Sequence, residues 1–417
     1  MATEPRVRPR RRRLSARLFL LGPAFVAAIA YVDPGNVAAN VSAGSRYGFL
    51  LVWVLVVANL MAVILQYQSA KLGLATGHSL PELMGSRLSA GPRRLYWAQA
   101  ELIAAATDMA EVIGGAVALH LLFGLPLLTG GGIIGVASMV LLVLQTHRGQ
   151  RAFENAVIIL LAIIAVGFMA GLLVHPPPPG AVLSGLVPRF DGGDSLLLAA
   201  SMIGATVMPH AIYLHSALAR DRHGHAESAA ARTRLIRITR WDVIGALAVA
   251  GAVNIAMLLL AATSLRGVPG TETIEGAHAA ITAALGPVIG IGFGVGLLAS
   301  GLASTSVGCY AGAVIMQGLL KVKVPLMLRR VLTLIPALLI LAGGIEPTLA
   351  LVLSQVLLSF GLPFALIPLI RLTGSKAVMG IHVDSPPLRV AAWICAALIV
   401  ALNAALIWLT ISGGFQV

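Results

Sequence analysis

The sequence predicts an all-α membrane protein of eleven transmembrane helices, in which two five-helix repeats of opposite orientation are followed by one further helix. Three observations support this fold class. Hydrophobic residues make up 58% of the 417 residues and charged residues only 11%, whereas a soluble domain carries about 25% charged residues. The mean hydropathy is +0.92. Apolar runs long enough to cross a bilayer recur along the chain, and two of them are interrupted near their middle by proline motifs.

The apolar runs define eleven predicted segments. Numbered in chain order they are 18–45, 48–73, 94–123, 126–145, 153–174, 195–219, 240–264, 286–319, 326–343, 346–370 and 389–412. Segments 1 and 6 are the interrupted ones. Segment 8 is long enough that we expect it to tilt or to extend beyond the bilayer.

Lysine and arginine are unequally distributed between the two sides that these segments define. If the N-terminus is cytoplasmic, 26 of the 29 lie on that side, and only Arg46, Arg189 and Arg266 lie outside. Because cytoplasmic loops are enriched in positive charge, we expect a multi-pass protein of the cell (inner) membrane with a cytoplasmic N-terminus and an extracytoplasmic C-terminus. The net charge of +13 then favours anionic lipid at the cytoplasmic face and does not indicate a nucleic-acid partner.

The N-terminal residues permit a second interpretation. Arginines at 10–13, the apolar residues 18–21 and Ala28-Ile29-Ala30 imitate a cleavable export signal. The apolar run continues to about Gly44, which is too long for a signal, and cleavage would remove the first half of segment 1. We therefore expect an uncleaved segment 1, preceded by a basic cytoplasmic arm at 1–17.

The two breaks are Asp33-Pro34-Gly35-Asn36 and Ala205-Thr206-Val207-Met208-Pro209-His210. Proline removes a backbone donor and prevents helix continuation, so each break frees backbone groups that lipid cannot satisfy. Segments 1 and 6 lie five segments apart and run in opposite directions. This pattern predicts one repeat at 18–174, an inverted repeat at 195–370 and an added helix at 389–412. Since half-helices that meet at the midplane form substrate sites in secondary transporters, we expect a cargo site between the breaks.

The side chains of the breaks favour a metal ion as cargo. Asp33 supplies a carboxylate, Asn36 an amide oxygen, Ala205 or a neighbour a free carbonyl, and Met208 a thioether. Oxygen ligands alone suit Mg²⁺ or Ca²⁺, whereas a soft sulfur favours a transition metal such as Mn²⁺ or Fe²⁺. A membrane methionine is usually a packing residue, and the chain has 12. The position of Met208 inside a break favours the ligand interpretation.

The same residues carry a family resemblance. Residues 31–36 with Ala43-Gly44 and Tyr47-Gly48 resemble the first-helix motif of the Nramp (natural resistance-associated macrophage protein) divalent metal transporters, and residues 204–210 with 213–216 resemble their sixth helix. Further matches are Asn59-Leu60-Met61-Ala62 with Gln66, Thr107 to Glu111, Asn254 to Leu258, Arg329-Arg330 and Ser354-Gln355-Val356. The match therefore extends from segment 1 to segment 10.

The resemblance implies a leucine-transporter-like fold that imports Mn²⁺ or Fe²⁺ with proton coupling and alternating access, and that is not an enzyme. It implies that Asp33, Asn36, the Ala205 carbonyl and Met208 bind the metal, and that Gln355 joins them in some conformations. It further implies that the methionine restrains uptake of Ca²⁺ and Mg²⁺. No cofactor is expected beyond the transported metal and the coupled proton. A monomer is compatible with this site, and the sequence leaves the oligomeric state open.

Segment 3 carries a stripe of carboxylates. Glu101, Asp108 and Glu111 lie at i, i+7 and i+10, within about 80° of one helix face, and intramembrane carboxylates normally avoid lipid. Arg329 and Arg330 enter segment 9 at a depth similar to that of Glu101, so a cross-helix ion pair is feasible. A purely structural polar network is the alternative. The resemblance supports a proton route from Asp33 through Asp108 and Glu111 toward the Glu101/Arg330 region.

Two histidines follow the second break. His210 is the natural additional titrating group, whereas His215 is expected to pack or to form hydrogen bonds. Segment 8 departs from the family pattern, because it reads Leu302-Ala303-Ser304-Thr305 where relatives commonly have a Gln-Ser-Ser run, and it also differs around Ala313 and Gln317. Cys309 and Cys395 are expected to be packing residues.

Three other classes of protein agree less well with the sequence. An organic-substrate carrier, for example for an amino acid, would share the inverted repeat, but the Asp33 carboxylate would repel a substrate carboxylate. A membrane metalloenzyme would need a catalytic metal motif such as HExxH, which the sequence lacks. A passive channel would not need the carboxylate stripe of segment 3.

Overall fold

The structure, a computed structural model, describes residues 23–148, 150–223, 228–322 and 324–412, and the regular elements in these ranges are helices. In chain order they are α1 (Pro23–Ile29), α2 (Pro34–Tyr47), α3 (Val52–Thr76), α4 (Leu80–Arg87), α5 (Ala90–Phe123), α6 (Leu127–Arg148), α7 (Gln150–Val174), α8 (Pro179–Ser184), α9 (Gly192–Thr206), α10 (Pro209–His223), α11 (Ala229–Ser264), α12 (Ile274–Leu285), α13 (Pro287–Leu320), α14 (Leu326–Ala342), α15 (Pro347–Thr373), α16 (Lys376–Met379) and α17 (Pro386–Ile411). The 3₁₀ turns Ala30–Val32 and Gly380–His382 follow α1 and α16. The expected basic arm at 1–17 lies outside the described residues.

Within the described residues, each predicted segment coincides with one helix or, for segments 1 and 6, with a pair of helices, and residues 18–22 of segment 1 lie outside the described part. By length and composition alone, seven spans within the described ranges can cross a membrane, and the second broken segment counts as one of them. Pro23–Val32, Leu127–Val143 and Ile158–Val174 are apolar but shorter. The all-helical membrane architecture is therefore confirmed, whereas these criteria do not reproduce the number eleven.

Proline sets the start of many of these helices. Helices α2, α8, α10, α13, α15 and α17 each begin at a proline. Proline suits the first helical position because its missing N–H would be unpaired there in any case and its φ is already helical. Gly286, with a φ of +92°, separates α12 from α13 and gives the chain a conformation that other residues rarely adopt.

Four short helices lie between the predicted segments and were not predicted. They are α4, α8, α12 and α16, which have four to twelve residues. A search for apolar runs of about 20 residues cannot find helices of this length. Helix α4 nevertheless carries a local signal, because Ser79 and Glu82 form a capping box in which the Ser79 N–H donates to Glu82 Oε2 at 2.7 Å.

The broken helices lie inside the bundle. Helix α2 packs against α9, α11 and α15, and α10 packs against α3, α13 and α15. Small residues permit the close approaches: Gly44 of α2 lies against the backbone of α11 at Leu258, and Gly114 of α5 lies against Pro34. Close helix contacts at glycine are typical of membrane bundles. Both breaks are thereby enclosed by the longer helices.

Candidate functional site

The first break is a helix start stabilised by its own acid. Asp33 precedes α2, and its Oδ1 accepts a hydrogen bond from the Asn36 N–H at 2.8 Å. This is an N-cap, and the partial positive charge of the helix start favours the buried carboxylate. The carbonyls freed on the other side of the break are also satisfied. Ser300 Oγ donates to Val32 O at 2.5 Å, and Asn254 Nδ2 donates to Tyr31 O at 2.7 Å.

The second break separates α9 from α10. Val207 closes α9 by donating to Ile203 O at 2.7 Å, and its φ of −106° and ψ of 75° are not helical. Pro209 then starts α10, so Met208 lies in the gap between the two half-helices. The side chain of Met208 is fully buried. Pro209 therefore explains why the helix is interrupted at this position.

The two breaks meet in one buried cluster. Asn36 Nδ2 donates both to Asp33 Oδ1 at 2.8 Å and to Ala205 O at 3.0 Å. From the opposite side, Gln355 Nε2 of α15 donates to Asp33 Oδ2 at 3.0 Å. Thr206 Oγ1 lies 3.4 Å from Asn36 Oδ1. The structure thus brings together the carboxylate, the two amides and the free carbonyl that the sequence singled out.

All five predicted metal ligands are inaccessible to solvent, with relative exposures of 0% for Asp33, Asn36, Ala205, Met208 and Gln355. The cluster is therefore closed to both sides of the molecule in this conformation. Among the described residues, no three His, Cys, Asp or Glu side chains form a group that could hold a metal ion. The polar groups of the cluster are instead one carboxylate, two amides and one backbone carbonyl, and Met208 follows Ala205 by three residues in the same break.

The carboxylates of segment 3 form two separate ion pairs. Glu101 Oε1 lies 2.7 Å from Arg329 Nη1, whereas Asp108 pairs with Arg330. The cross-helix ion pair that the sequence made feasible for Glu101 is therefore present, and its partner is Arg329. Glu101 and Asp108 are two helical turns apart, about 10 Å, and the adjacent arginines point in different directions, so each arginine reaches a different carboxylate.

The Asp108–Arg330 pair is completely buried and extends into a polar network. Arg330 Nε donates to Ser138 Oγ at 2.6 Å, and Thr305 Oγ1 donates to Asp108 Oδ1 at 2.7 Å. Glu111, one turn further along α5, is also fully buried, and neither of its carboxylate oxygens has a hydrogen-bond partner in the described part of the chain. Glu111 is thus the least satisfied of the three acids of segment 3.

The two histidines of α10 have different surroundings. His210 Nδ1 lies 3.4 Å from Thr107 Oγ1, and its Nε2 has no partner within the described residues. His215 Nδ1 lies 2.7 Å from Gln66 Oε1, while Gln66 Nε2 donates to the Tyr31 hydroxyl. The prediction that His215 forms hydrogen bonds is confirmed.

The chain matches the family model for natural resistance-associated macrophage protein-like (Nramp) sequences over residues 24–409. The chain belongs to the Nramp family. It is 59% identical over 400 residues to the divalent metal cation transporter MntH of Mycobacterium tuberculosis (strain ATCC 25618 / H37Rv), a match that covers 96% of this chain and 94% of the relative.

Solved structures agree with this Nramp assignment. The Eremococcus coleocola manganese transporter superposes with a TM-score of 0.85 at 30% identity, covering 95% of this chain and 87% of that one. MhsT, solved in complex with L-phenylalanine, superposes with a TM-score of 0.60 at 13% identity, covering 91% of this chain and 98% of that one. The second match shows the fold alone. Because Nramp proteins are transporters and not enzymes, the metalloenzyme interpretation is excluded.

Sequence reasoning missed two polar residues of α13 in this Nramp protein. The Ser300 hydroxyl donates a hydrogen bond to the free Val32 carbonyl of the first break, and the Thr305 hydroxyl donates one to the Asp108 carboxylate. The available signal was a series of small polar residues, Ser300, Ser304 and Thr305, within an otherwise apolar helix.

Proposed function

We propose that this Nramp protein imports Mn²⁺, or a similar divalent transition metal such as Fe²⁺, by proton-coupled alternating access. The observation that carries the proposal is the buried cluster between the breaks. One carboxylate, one free carbonyl and two amides, contributed by the start of α2, by α9 and by α15, come together there. Met208 lies three residues after Ala205, in the gap before α10. The relatives named as divalent metal and manganese transporters support the same cargo.

The hydrogen bonds of the cluster suggest how it accepts a metal. In the described conformation, Asn36 Nδ2 and Gln355 Nε2 direct N–H groups at the Asp33 carboxylate. A cation would repel these donors. Metal binding therefore requires Asn36 and Gln355 to turn their amide oxygens toward the ion, which replaces two N–H contacts with two oxygen ligands. The Ala205 carbonyl and the Met208 sulfur would complete the site.

The proposed selectivity follows from the donor set. A single carboxylate leaves a dication only half neutralised, so the neutral ligands must compensate for the water that the ion loses. A thioether ligand compensates a transition metal for its lost water better than it compensates Mg²⁺ or Ca²⁺, because these two ions prefer oxygen ligands. An organic substrate is disfavoured, because the described cluster is fully buried and its one charge is an acid.

The proposed proton route uses the acids next to the cluster. Glu111 is a buried acid one turn from Asp108 on α5, and His210 of α10 contacts Thr107 of the same helix. A proton could pass from Asp33 through Glu111 and Asp108 toward the Glu101–Arg329 pair. Arg330 belongs to this route as the partner of Asp108.

The proposed transport cycle uses the two repeats as moving parts. We assign residues 18–174 and 195–370 as inverted repeats and 389–412 as an added helix, with the N-terminus cytoplasmic and the C-terminus outside. The breaks form the fixed site around which α1, α2, α9 and α10 shift. A negative-inside potential favours inward movement of the ion by about 2.3 kcal/mol per charge per 100 mV.

Uptake of Mn²⁺ into proteoliposomes tests the proposal. The parent chain is expected to take up Mn²⁺ in preference to Ca²⁺ and Mg²⁺, and Asp33→Asn is expected to lose most of this uptake while remaining folded. Asp191→Asn, which changes an exposed acid, is the matched control and should behave like the parent. Absence of Mn²⁺ uptake by the parent, or normal uptake by Asp33→Asn, would contradict the proposal.

A further inference from the structure

A groove of about 320 Å³ lies where α4, the start of α5 and the end of α15 meet. This is the side of the molecule on which the sequence places most of the lysines and arginines. Most of its lining is apolar, including Leu83 of α4, Tyr96 of α5 and Ile367 of α15. Two arginines, Arg87 at the end of α4 and Arg371 near the end of α15, line the same groove. The groove thus combines an apolar trough with two fixed positive charges.

Exposed apolar side chains lie beside the apolar part of the groove. Leu95, next to Tyr96, is 70% exposed, and Phe364, one turn before Ile367, is 44% exposed. The Tyr96 and Phe364 rings form an edge contact with centroids 6.1 Å apart, which joins the two helices beside the groove. Exposed apolar groups of this size are expected at the hydrocarbon of a bilayer. An acyl chain can therefore enter the groove from the membrane.

The positive charge around the groove is not compensated locally. The segments 80–96 and 364–389 contain six basic residues and two acids. Both acids are already paired with bases from elsewhere: Glu82 with Arg220, and Asp384 with Lys71 at 2.6 Å. Within the described residues, neither Arg87 nor Arg371 has an ion-pair partner. The two guanidinium groups are available to a ligand that carries negative charge.

We propose that this groove binds one anionic phospholipid. The phosphate lies between Arg87 and Arg371, because guanidinium groups bind phosphate oxygens through charge-assisted hydrogen bonds. One acyl chain lies along Leu83, Tyr96 and Ile367. Basic pockets between transmembrane helices are the sites at which lipid headgroups bind in membrane proteins. The combination of an apolar trough with paired arginines selects a lipid and not a soluble phosphate.

The position of the groove links the lipid to the transport machinery. Helix α4, which forms one wall, is joined to α10 by the Glu82–Arg220 pair and by the Leu80 N–H, which donates to Ser216 Oγ at 2.8 Å. Helix α10 begins at the second break. A lipid bound between α4 and α15 would therefore restrain α10, the half-helix that begins directly after Met208 and carries His210 in its first turn.

Native mass spectrometry of the full chain in detergent tests this site. Titration with phosphatidylglycerol is expected to show one lipid bound more tightly than any phosphatidylcholine. In Arg87→Gln/Arg371→Gln, this binding should weaken by about thirtyfold, the loss expected for two surface arginines. The control Arg234→Gln/Arg237→Gln removes the same charge from exposed positions at the start of α11 and should keep the binding of the parent.

A second variant tests the apolar half of the groove with both arginines present. Ile367→Trp fills the trough, and it should weaken phosphatidylglycerol binding by about tenfold. It also keeps the test valid if the double arginine variant fails to fold. Equal weakening in both double-glutamine variants, unchanged binding in Ile367→Trp, equal binding of phosphatidylcholine, or displacement of the lipid by glycerol phosphate would each overturn the proposal.

Discussion

Met208 is the one soft donor in the proposed metal site, and it is fully buried in the gap between α9 and α10. We expect Met208→Ala to retain Mn²⁺ uptake but to admit Ca²⁺ or Mg²⁺ more readily, by about tenfold in competition, or about 1.4 kcal/mol. The physical reason is that hard cations gain little from sulfur. The measurement is inhibition of Mn²⁺ uptake by increasing Ca²⁺ in proteoliposomes.

Met202 provides a matched control for this substitution. It is also fully buried, but it lies within α9 and not in the break. Met202→Ala removes the same side chain from the core and should leave ion selectivity unchanged. If both alanine variants changed selectivity equally, packing and not ligation would be the role of Met208.

Replacement of Arg330 is expected to lower the stability of the protein. Its guanidinium is fully buried against Asp108, and removing one partner of a buried pair leaves an uncompensated charge. Arg330→Met should therefore destabilise the protein by about 3–5 kcal/mol, measured as a lower midpoint of thermal unfolding in detergent. The double variant Arg330→Met/Asp108→Asn should recover most of that loss, and an additive further loss would contradict the pairing.

For individual residues, the sequence predicted which side chains belong to the site better than it predicted which partners those side chains contact. Proline and acid at mid-segment identified Asp33, and the second break identified Met208. The sequence could not show which of Arg329 and Arg330 pairs with Glu101, because two adjacent helical residues differ by about 100° in direction and only the packed neighbours decide which carboxylate each one contacts. Ser300 and Thr305 were missed for the same reason, since an isolated hydroxyl in an apolar helix does not reveal its partner.

Among the structural elements, the short helix α4 is joined to α10 by the Glu82–Arg220 ion pair. Partial burial raises the pKa of Glu82, but the Ser79 N–H and the Arg220 guanidinium outweigh this effect and hold the pKa below its ordinary value of 4.5. A carboxyl with a lowered pKa in the folded state stabilises the protein at pH values above its ordinary pKa. That contribution is lost as the pH falls through the folded-state pKa.

Replacement of Glu82 tests this contribution. We expect Glu82→Gln to be less stable than the parent at about pH 6, and the difference to shrink as the pH falls below about 4. Thermal unfolding in detergent across this range is the measurement. Glu272→Gln, which changes an exposed acid, should follow the parent at every pH. A Glu82→Gln deficit that persisted unchanged in acid would mean that packing, and not charge, is responsible.

The elements also show where pattern reading succeeds. Long apolar helices were predicted because burial in a bilayer requires a continuous apolar run, and prolines at helix starts placed many of their boundaries. Short helices such as α4 and α16 were not predicted, because their few residues contain no such run. Their positions depend on capping and on contacts with neighbours, as the link between α4 and α10 illustrates.

For the molecule as a whole, the proposed coupling requires the buried acids of α5 to exchange protons during transport. We expect Mn²⁺ uptake by the parent to acidify the proteoliposome interior. Glu111→Gln should uncouple or stop this acidification, because Glu111 is fully buried without a hydrogen-bond partner in the described part of the chain. The measurement is a trapped pH-sensitive dye recorded together with Mn²⁺ uptake.

The outcome distinguishes two roles for the acids of α5. If acidification persists unchanged in both Glu111→Gln and Asp108→Asn, the acids serve only to hold the helices together. Glu101→Gln provides a comparison on the same helix. The Glu101 carboxylate, paired with Arg329, is more exposed than Glu111, and its replacement should have a smaller effect on coupling than Glu111→Gln.

The position of the metal is the central claim, and anomalous diffraction from crystals of this protein grown with Mn²⁺ tests it most directly. We predict one strong manganese peak between the two breaks, in contact with the Asp33 carboxylate and the Met208 sulfur, with the Asn36 amide oxygen turned toward it. The peak should be absent from crystals of Asp33→Asn. A manganese peak elsewhere in the molecule, or an unchanged peak in Asp33→Asn, would contradict the account.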